Sequence, residues 1–165
     1  MDILEALAAA VIALTGMLVF ALMIWAGHAD LRARWSAQSA ADADFAAQLA
    51  AWLAAEGERR TIWLAHHDGA PAGMASMLEY RRMPKPGRLD SRWGYLSNLF
   101  VVEPLRGRGV GSALLDAAVA AADARGYVRL VLSPSADALP LYARAGFVVP
   151  DGAAGDHRLL ARAGR

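Results

Sequence analysis

The chain has 165 residues, enough for one domain with its own core, and no cysteine, which excludes a disulfide framework, cysteine-ligated zinc and a thiol nucleophile. A formal net charge of +1 provides no global basic field of the kind that gathers nucleic acid. The apolar share, 56%, is high for a soluble protein, and the excess is concentrated at the N-terminus.

Residues 6–27 (ALAAAVIALTGMLVFALMIWAG) contain no charge, and about 20 helical residues cover the roughly 30 Å of a bilayer core. The run reads as a transmembrane anchor over residues 1–27, leaving 28–165 as the folded domain. Asp2 and Glu5 precede it, Arg32 and Arg34 follow it, and Trp25 suits an interface, so the domain is expected on the cytoplasmic face. The acidic start MDILE does not resemble a signal peptide. The alternative is a helix hydrophobic all round, buried in a soluble cytoplasmic homodimer. The small residues Ala6, Ala9, Ala13 and Gly16 would allow close helix pairing.

A polar helix is expected over 28–38. An amphipathic one follows over 42–56, with Phe45, Leu49, Trp52 and Leu53 at helical spacing, Asp42 or Asp44 as its cap and Gly57 as its stop. Residues 61–67 (TIWLAHH) read as a strand, Asp68 and Gly69 as a hairpin turn, and 73–80 as the partner strand. His66 and His67 point to opposite faces of that strand, so they do not form a shared metal site, and no metal is expected. Glu79, near the end of the partner strand, is the carboxylate that could accept a proton through water. Residues 81–92 (RRMPKPGRLDSR) form a basic loop in which Arg81, Arg82, Lys85, Arg88 and Arg92 outweigh Asp90. It is either a solvated charged loop or one that rims an acceptor pocket or meets a cofactor phosphate.

Residues 93–102 read as a central strand, nearly continuous in apolar or small residues. It leads into a turn holding Gly107, Gly109 and Gly111, and the unpaired N–H groups of the helix that follows would attract an anion. The spacing is not G-x-x-x-x-G-K-[ST] and not G-x-G-x-x-G, which excludes the two common nucleotide loops. It is R-x-x-G-x-G, from Arg106 to Gly111, after V-x-P at Val102 to Pro104. In this the chain resembles the GNAT superfamily of acyl-CoA-dependent N-acetyltransferases. The resemblance implies that the amides of Arg106, Gly107, Arg108, Gly109, Val110, Gly111 and Ser112 hold the pyrophosphate of coenzyme A.

The helix over 112–124 places Leu114, Leu115, Ala118, Val119 and Ala122 on one side, and the strand over 127–132 (YVRLVL) completes a right-handed parallel crossover. A second family pattern, A-x-x-L-Y-x-x-x-G-F, falls on Ala138, Leu141, Tyr142, Gly146 and Phe147. It predicts a short helix over 139–144 ended by Gly146, with a further strand beginning at Phe147. The implied fold is α+β, a mixed and mostly antiparallel sheet flanked by helices. Two departures are visible. Ser135 stands where the family often has an asparagine that bonds the pantetheine arm, and the apolar N-terminal run occupies the place of the family's first strand.

The resemblance implies transfer of an acetyl group from acetyl-CoA to a primary amine on a small molecule or peptide, with no metal and no nucleic acid partner. Such transfer needs a neutral amine, a donor for the developing oxyanion and a proton for the leaving thiolate. By resemblance, amides near Phe100, Val101 and Val102 polarise the thioester carbonyl and Tyr142 protonates the thiolate. A catalytically idle acyl-CoA-binding or membrane interaction module is the alternative, and the intact Gly107, Gly109, Gly111 and Tyr142 favour the enzyme.

Overall fold

The computed structural model describes residues 27–35, 44–87, 89–150 and 159–164. The proposed anchor, apart from Gly27, and the question of a strand before residue 27 lie outside these. Among the described residues no helix is long and apolar enough to cross a membrane.

Helix α1 covers 27–35 and α2 is Phe45–Glu56. The strands β1 (Arg60–His67), β2 (Ala70–Arg81) and β3 (Arg92–Val101) follow as an antiparallel meander. Helix α3 (Val110–Ala124) crosses to β4 (Arg129–Leu132), α4 (Leu139–Arg144) follows, and β5 (Leu160–Ala163) returns. The five strands lie in the order β1-β2-β3-β4-β5, and only β3 and β4 run parallel. The expected α+β architecture with a mostly antiparallel sheet is therefore present.

Local chemistry sets the boundaries. Of the two expected caps of α2, Asp42 lies outside the described residues, and Asp44, in the helical region, makes no side-chain capping bond. Gly57, at φ 56°, does end it. The strand expected from Tyr127 begins only at Arg129, because the Tyr127 N–H closes α3 on the Ala122 carbonyl (3.0 Å) while the Gly126 N–H bonds Asp123 (3.0 Å). Gly126 takes the left-handed conformation this Schellman ending requires. No regular strand begins at Phe147. Val148 makes a single bridge to Ala161, and the edge strand is β5, paired antiparallel with β4.

The main core lies between the sheet and α3. Leu114, Leu115, Ala118 and Ala122 are buried there with Ala75, Met77, Leu96, Leu130 and Leu132, as the helical spacing predicts, and Val119 packs at its margin. Burial of each large side chain contributes about 1.5–3 kcal/mol. The alternate residues of β2, Met74 and Ser76, turn to the other face, where fully buried Leu31 seats α1.

Candidate active site

The site begins with a strand that loses its neighbour. β3 pairs with β4 at Gly94↔Leu130 and Tyr95↔Val131 only, yet continues to Val101, so its edge from Leu96 onward faces a widening cleft. Such a cleft at the carboxyl ends of parallel strands is a general ligand position. Within the same stretch β3 carries an extra residue: Met74↔Phe100 and Ser76↔Ser97 set two steps of β2 against three of β3. Asn98 absorbs the bulge at φ 54°, a conformation asparagine tolerates better than most residues.

The backbone bonds decide which amides can serve a ligand. The Val102 N–H donates to Ala72 on β2 (3.0 Å), so it is not the free donor the sequence suggested. Strand alternation turns Phe100 toward β2 as well, its cross-strand partner being Met74. Val101 faces the cleft, where its carbonyl accepts the Arg106 Nε–H (3.1 Å). The Arg106 amide is also removed from the expected set, since it donates to Glu103 (3.1 Å).

Among the described residues, the turn's remaining amides have no backbone acceptor outside the helix. Gly107 and Gly109 have φ of 73° and 87°, and a Cβ at either would meet nothing within 4 Å, so the left-handed backbone rather than crowding requires glycine there. Gly109 precedes α3, and the first intrahelical donor is Ala113, bonded to the Gly109 carbonyl at 3.0 Å. Val110, Gly111 and Ser112 therefore have no intrahelical acceptor, at the positive end of the helix dipole. Gly111 plays a different part. Its Cβ position lies 3.6 Å from Val101 Cγ2 and 3.7 Å from Leu141 Cδ2, which brings the end of β3, the start of α3 and helix α4 together. Arg106 and Arg108 are exposed beside the turn.

Helix α4 supplies Tyr142. Its ring is buried, 7% exposed, and meets Phe147 edge-on with centroids 5.8 Å apart. A second Schellman ending fixes it, with the Phe147 N–H on the Tyr142 carbonyl (3.0 Å) and Gly146 at φ 82°. Burial raises the pKa of the phenol above its ordinary value. The hydroxyl has no hydrogen-bond partner among the described residues. Ser135, exposed between β4 and α4, accepts the Ala138 N–H with its carbonyl (3.1 Å).

Glu79 is not in this group. It pairs with Gly94, seven residues before Val101, which puts it roughly 20 Å along the strand from the cleft's end. Its side chain, 10% exposed, accepts the Tyr127 hydroxyl at 2.7 Å and the Arg81 Nε–H at 2.9 Å, with Arg92 at 3.9 Å. Burial pushes its pKa up, but the Arg81 and Tyr127 hydrogen bonds and the charges of Arg81 and Arg92 outweigh it and hold the carboxyl below its usual value. A carboxylate so engaged is a structural anchor rather than a base. The basic loop after β2 sits at this same end, so it does not meet a phosphate at the glycine turn. His66 and His67 join no metal-binding cluster among the described residues.

Sequence reasoning missed Asn98 and its surroundings. Asn98 Oδ1 accepts from Arg32 Nη1 (3.1 Å), and its Nδ2 donates to Ser76 Oγ (3.2 Å), which lies 3.0 Å from Ser97 Oγ. The signal in the sequence was the polar pair Ser97–Asn98 inside a mostly apolar strand.

A divergent parallel strand pair, a bulge, a glycine turn opening a helix and a buried tyrosine together fit an acyltransferase architecture. The chain belongs to the acetyltransferase (GNAT) family, whose model matches residues 25–147. Among solved structures, a GCN5-related N-acetyltransferase from Ralstonia eutropha is 30% identical, with 67% of this chain and 72% of that one covered and a TM-score of 0.56. A predicted acetyltransferase from Clostridium acetobutylicum, solved with acetyl-CoA, is 22% identical over 77% of this chain and 85% of that one, TM-score 0.60. An acetyltransferase from Trypanosoma brucei is 20% identical over 79% and 89%, TM-score 0.64. The last two are alike in fold. No curated protein sequence matches the chain.

Proposed function

We propose that this protein is an N-acetyltransferase that moves an acetyl group from acetyl-CoA to a primary amine. The observation that carries the reading is the cleft itself: β3 without a β4 partner beyond Tyr95, ending at a turn whose amides from Gly107 to Ser112 are, among the described residues, available to an anion. Acetyl-CoA would supply an activated thioester and a diphosphate that suits this turn. The amides from Gly107 to Ser112 hold the diphosphate, with Arg106 and Arg108 adding charge at the rim. The Val101 amide, on the cleft edge of β3, polarises the thioester carbonyl. Tyr142 keeps its proton at neutral pH and delivers it to the departing thiolate. Ser135, three residues past the end of β4, meets the pantetheine arm. With Glu79 engaged elsewhere, the amine proton leaves through water. We further infer that the apolar residues 6–27 tether this domain to the inner face of a membrane.

Binding is tested by thermal shift. Acetyl-CoA, as a ligand of the folded state, should raise the unfolding midpoint. Gly109→Glu should abolish the shift, because it adds bulk and negative charge and forces a side chain into φ 87°. A shift of unchanged size in that variant would mean that the turn is not the binding site.

A further inference from the structure

Helix α1 carries a cation that the acetyl-CoA site does not use. His28 and Leu31 are buried against the sheet, which directs Arg32, one helical step on, to the β3 bulge. Its Nη1 donates to Asn98 Oδ1 at 3.1 Å, and its guanidinium carbon stands 4.2 Å over the Trp35 ring. The group is thus fixed from two sides. Among the described residues, no acceptor bonds its Nε or Nη2, and no carboxylate pairs with it. The neighbouring acids are engaged by other cations: Asp30 by Arg34 at 3.0 Å and Glu56 by Arg60 at 2.7 Å.

We propose that Arg32 binds the carboxylate of the acetyl acceptor at the Asn98 bulge, so that the substrate class of this enzyme is an amino carboxylate. The inference rests on the acetyltransferase reading above. The Nε and Nη2 hydrogens of a guanidinium form a fork that matches the two oxygens of a carboxylate. Among the described residues that fork is free, while Nη1 is held. Burial also depresses the Arg32 pKa, the mark of a charge partly removed from water, and such a charge calls for a counter-ion. His28 adds no competing cation, because burial and the Arg32 charge push its pKa down. The position suits an acceptor. Asn98 lies three residues before Val101 on the same cleft strand, so a carboxylate held at Arg32 leaves a short chain to carry the amine toward the thioester.

The test uses the full-length protein, acetyl-CoA and matched acceptors: the straight-chain amino carboxylates from glycine to 6-aminohexanoate, each with its carboxamide, and phosphoethanolamine. Thiol release gives kcat/KM. At least one carboxylate should exceed its amide by about tenfold or more, chiefly through KM, because a site built for a polar group rejects the analogue that lacks it. Arg32→Gln, which can still donate to Asn98, should bring that ratio to about one while the acetyl-CoA thermal shift persists, and Arg32→Lys should keep a preference of the same sign. The proposal is overturned if the wild-type ratio is near one throughout or if the preference survives Arg32→Gln. It is equally overturned if phosphoethanolamine is preferred, or if no acceptor reacts in protein that still shows the thermal shift. Loss of the shift in the wild-type protein would instead remove the acetyltransferase reading.

Discussion

Tyr142 holds its proton more tightly than a phenol in water because its ring is buried, and no acceptor among the described residues competes for that proton. At neutral pH the group is therefore protonated, as the proposed role of proton donor to the thiolate requires. Tyr142→Phe keeps the ring and its edge contact with Phe147, so acetyl-CoA should still raise the thermal midpoint while turnover falls about a hundredfold, the usual scale of a lost general acid. Unchanged turnover with a good acceptor would assign the proton to another group. Glu79 illustrates the opposite use of a titratable side chain. Its folded pKa is lowered, so its contribution to stability is present above the unfolded carboxylate value and is lost as pH falls through the folded value. Removing the Tyr127 hydroxyl as Tyr127→Phe should cost about 1–3 kcal/mol at pH 7, and the gap from wild type should narrow as the pH falls below the ordinary carboxylate range and the Glu79 carboxyl protonates. Denaturant unfolding at a series of pH values measures both, and a pH-independent difference would show that the hydroxyl acts only through packing.

At the scale of elements, the sequence showed the parts that follow local rules and hid those that depend on pairing. The α3 stripe, the meander hairpin, the glycine turn and the α4 helix ended by Gly146 were all legible, since each is set by spacing or by a residue type that a backbone conformation requires. The bulge at Asn98 was not, because it depends on how β3 lies against β2 and not on β3 alone. Neither was the engagement of the Val102 and Arg106 amides, which needs the position of Ala72 and the turn at Glu103. β5 was missed for a compositional reason: LARA has no β-branched or aromatic residue, and its strand character comes from β4 beside it. That dependence can be tested at Gly164, where an added Cβ would fall on the Tyr127 carbonyl, a backbone atom unable to turn aside. At Gly94 the added Cβ would meet side chains instead, Leu130 Cδ2 at 2.6 Å and Met77 Sδ at 2.8 Å, which can rotate. Gly164→Ala should therefore lower the melting temperature more than Gly94→Ala, by several degrees for about 1–3 kcal/mol of overpacking. Equal losses would mean that the β5 end yields as easily as the core.

For the whole molecule, the question is what residues 6–27 do for a domain whose family match begins at residue 25. The cut between them can be placed physically. His28 and Leu31 are buried, Arg32 reaches the β3 bulge, and a Cβ at Gly27 would lie 3.2 Å from Pro71, so α1 belongs to the domain and must be kept from Gly27 onward. A chain lacking residues 1–24 should then retain the acetyl-CoA thermal shift. If residues 6–27 act as the proposed tether, the full-length protein should, in contrast, sediment with membranes and resist carbonate and high salt, because a spanning segment is held by apolar burial, whereas an electrostatic attachment is screened. Under the proposed orientation, with Asp2 and Glu5 before the run and Arg32 and Arg34 after it, protease added outside intact cells should leave the domain uncut. Recovery of the full-length protein as a soluble dimer would make the segment an interface helix between two copies. The acetyl-CoA site would be unaffected by that outcome, because every residue assigned to it lies beyond residue 98 on elements that the apolar segment does not include.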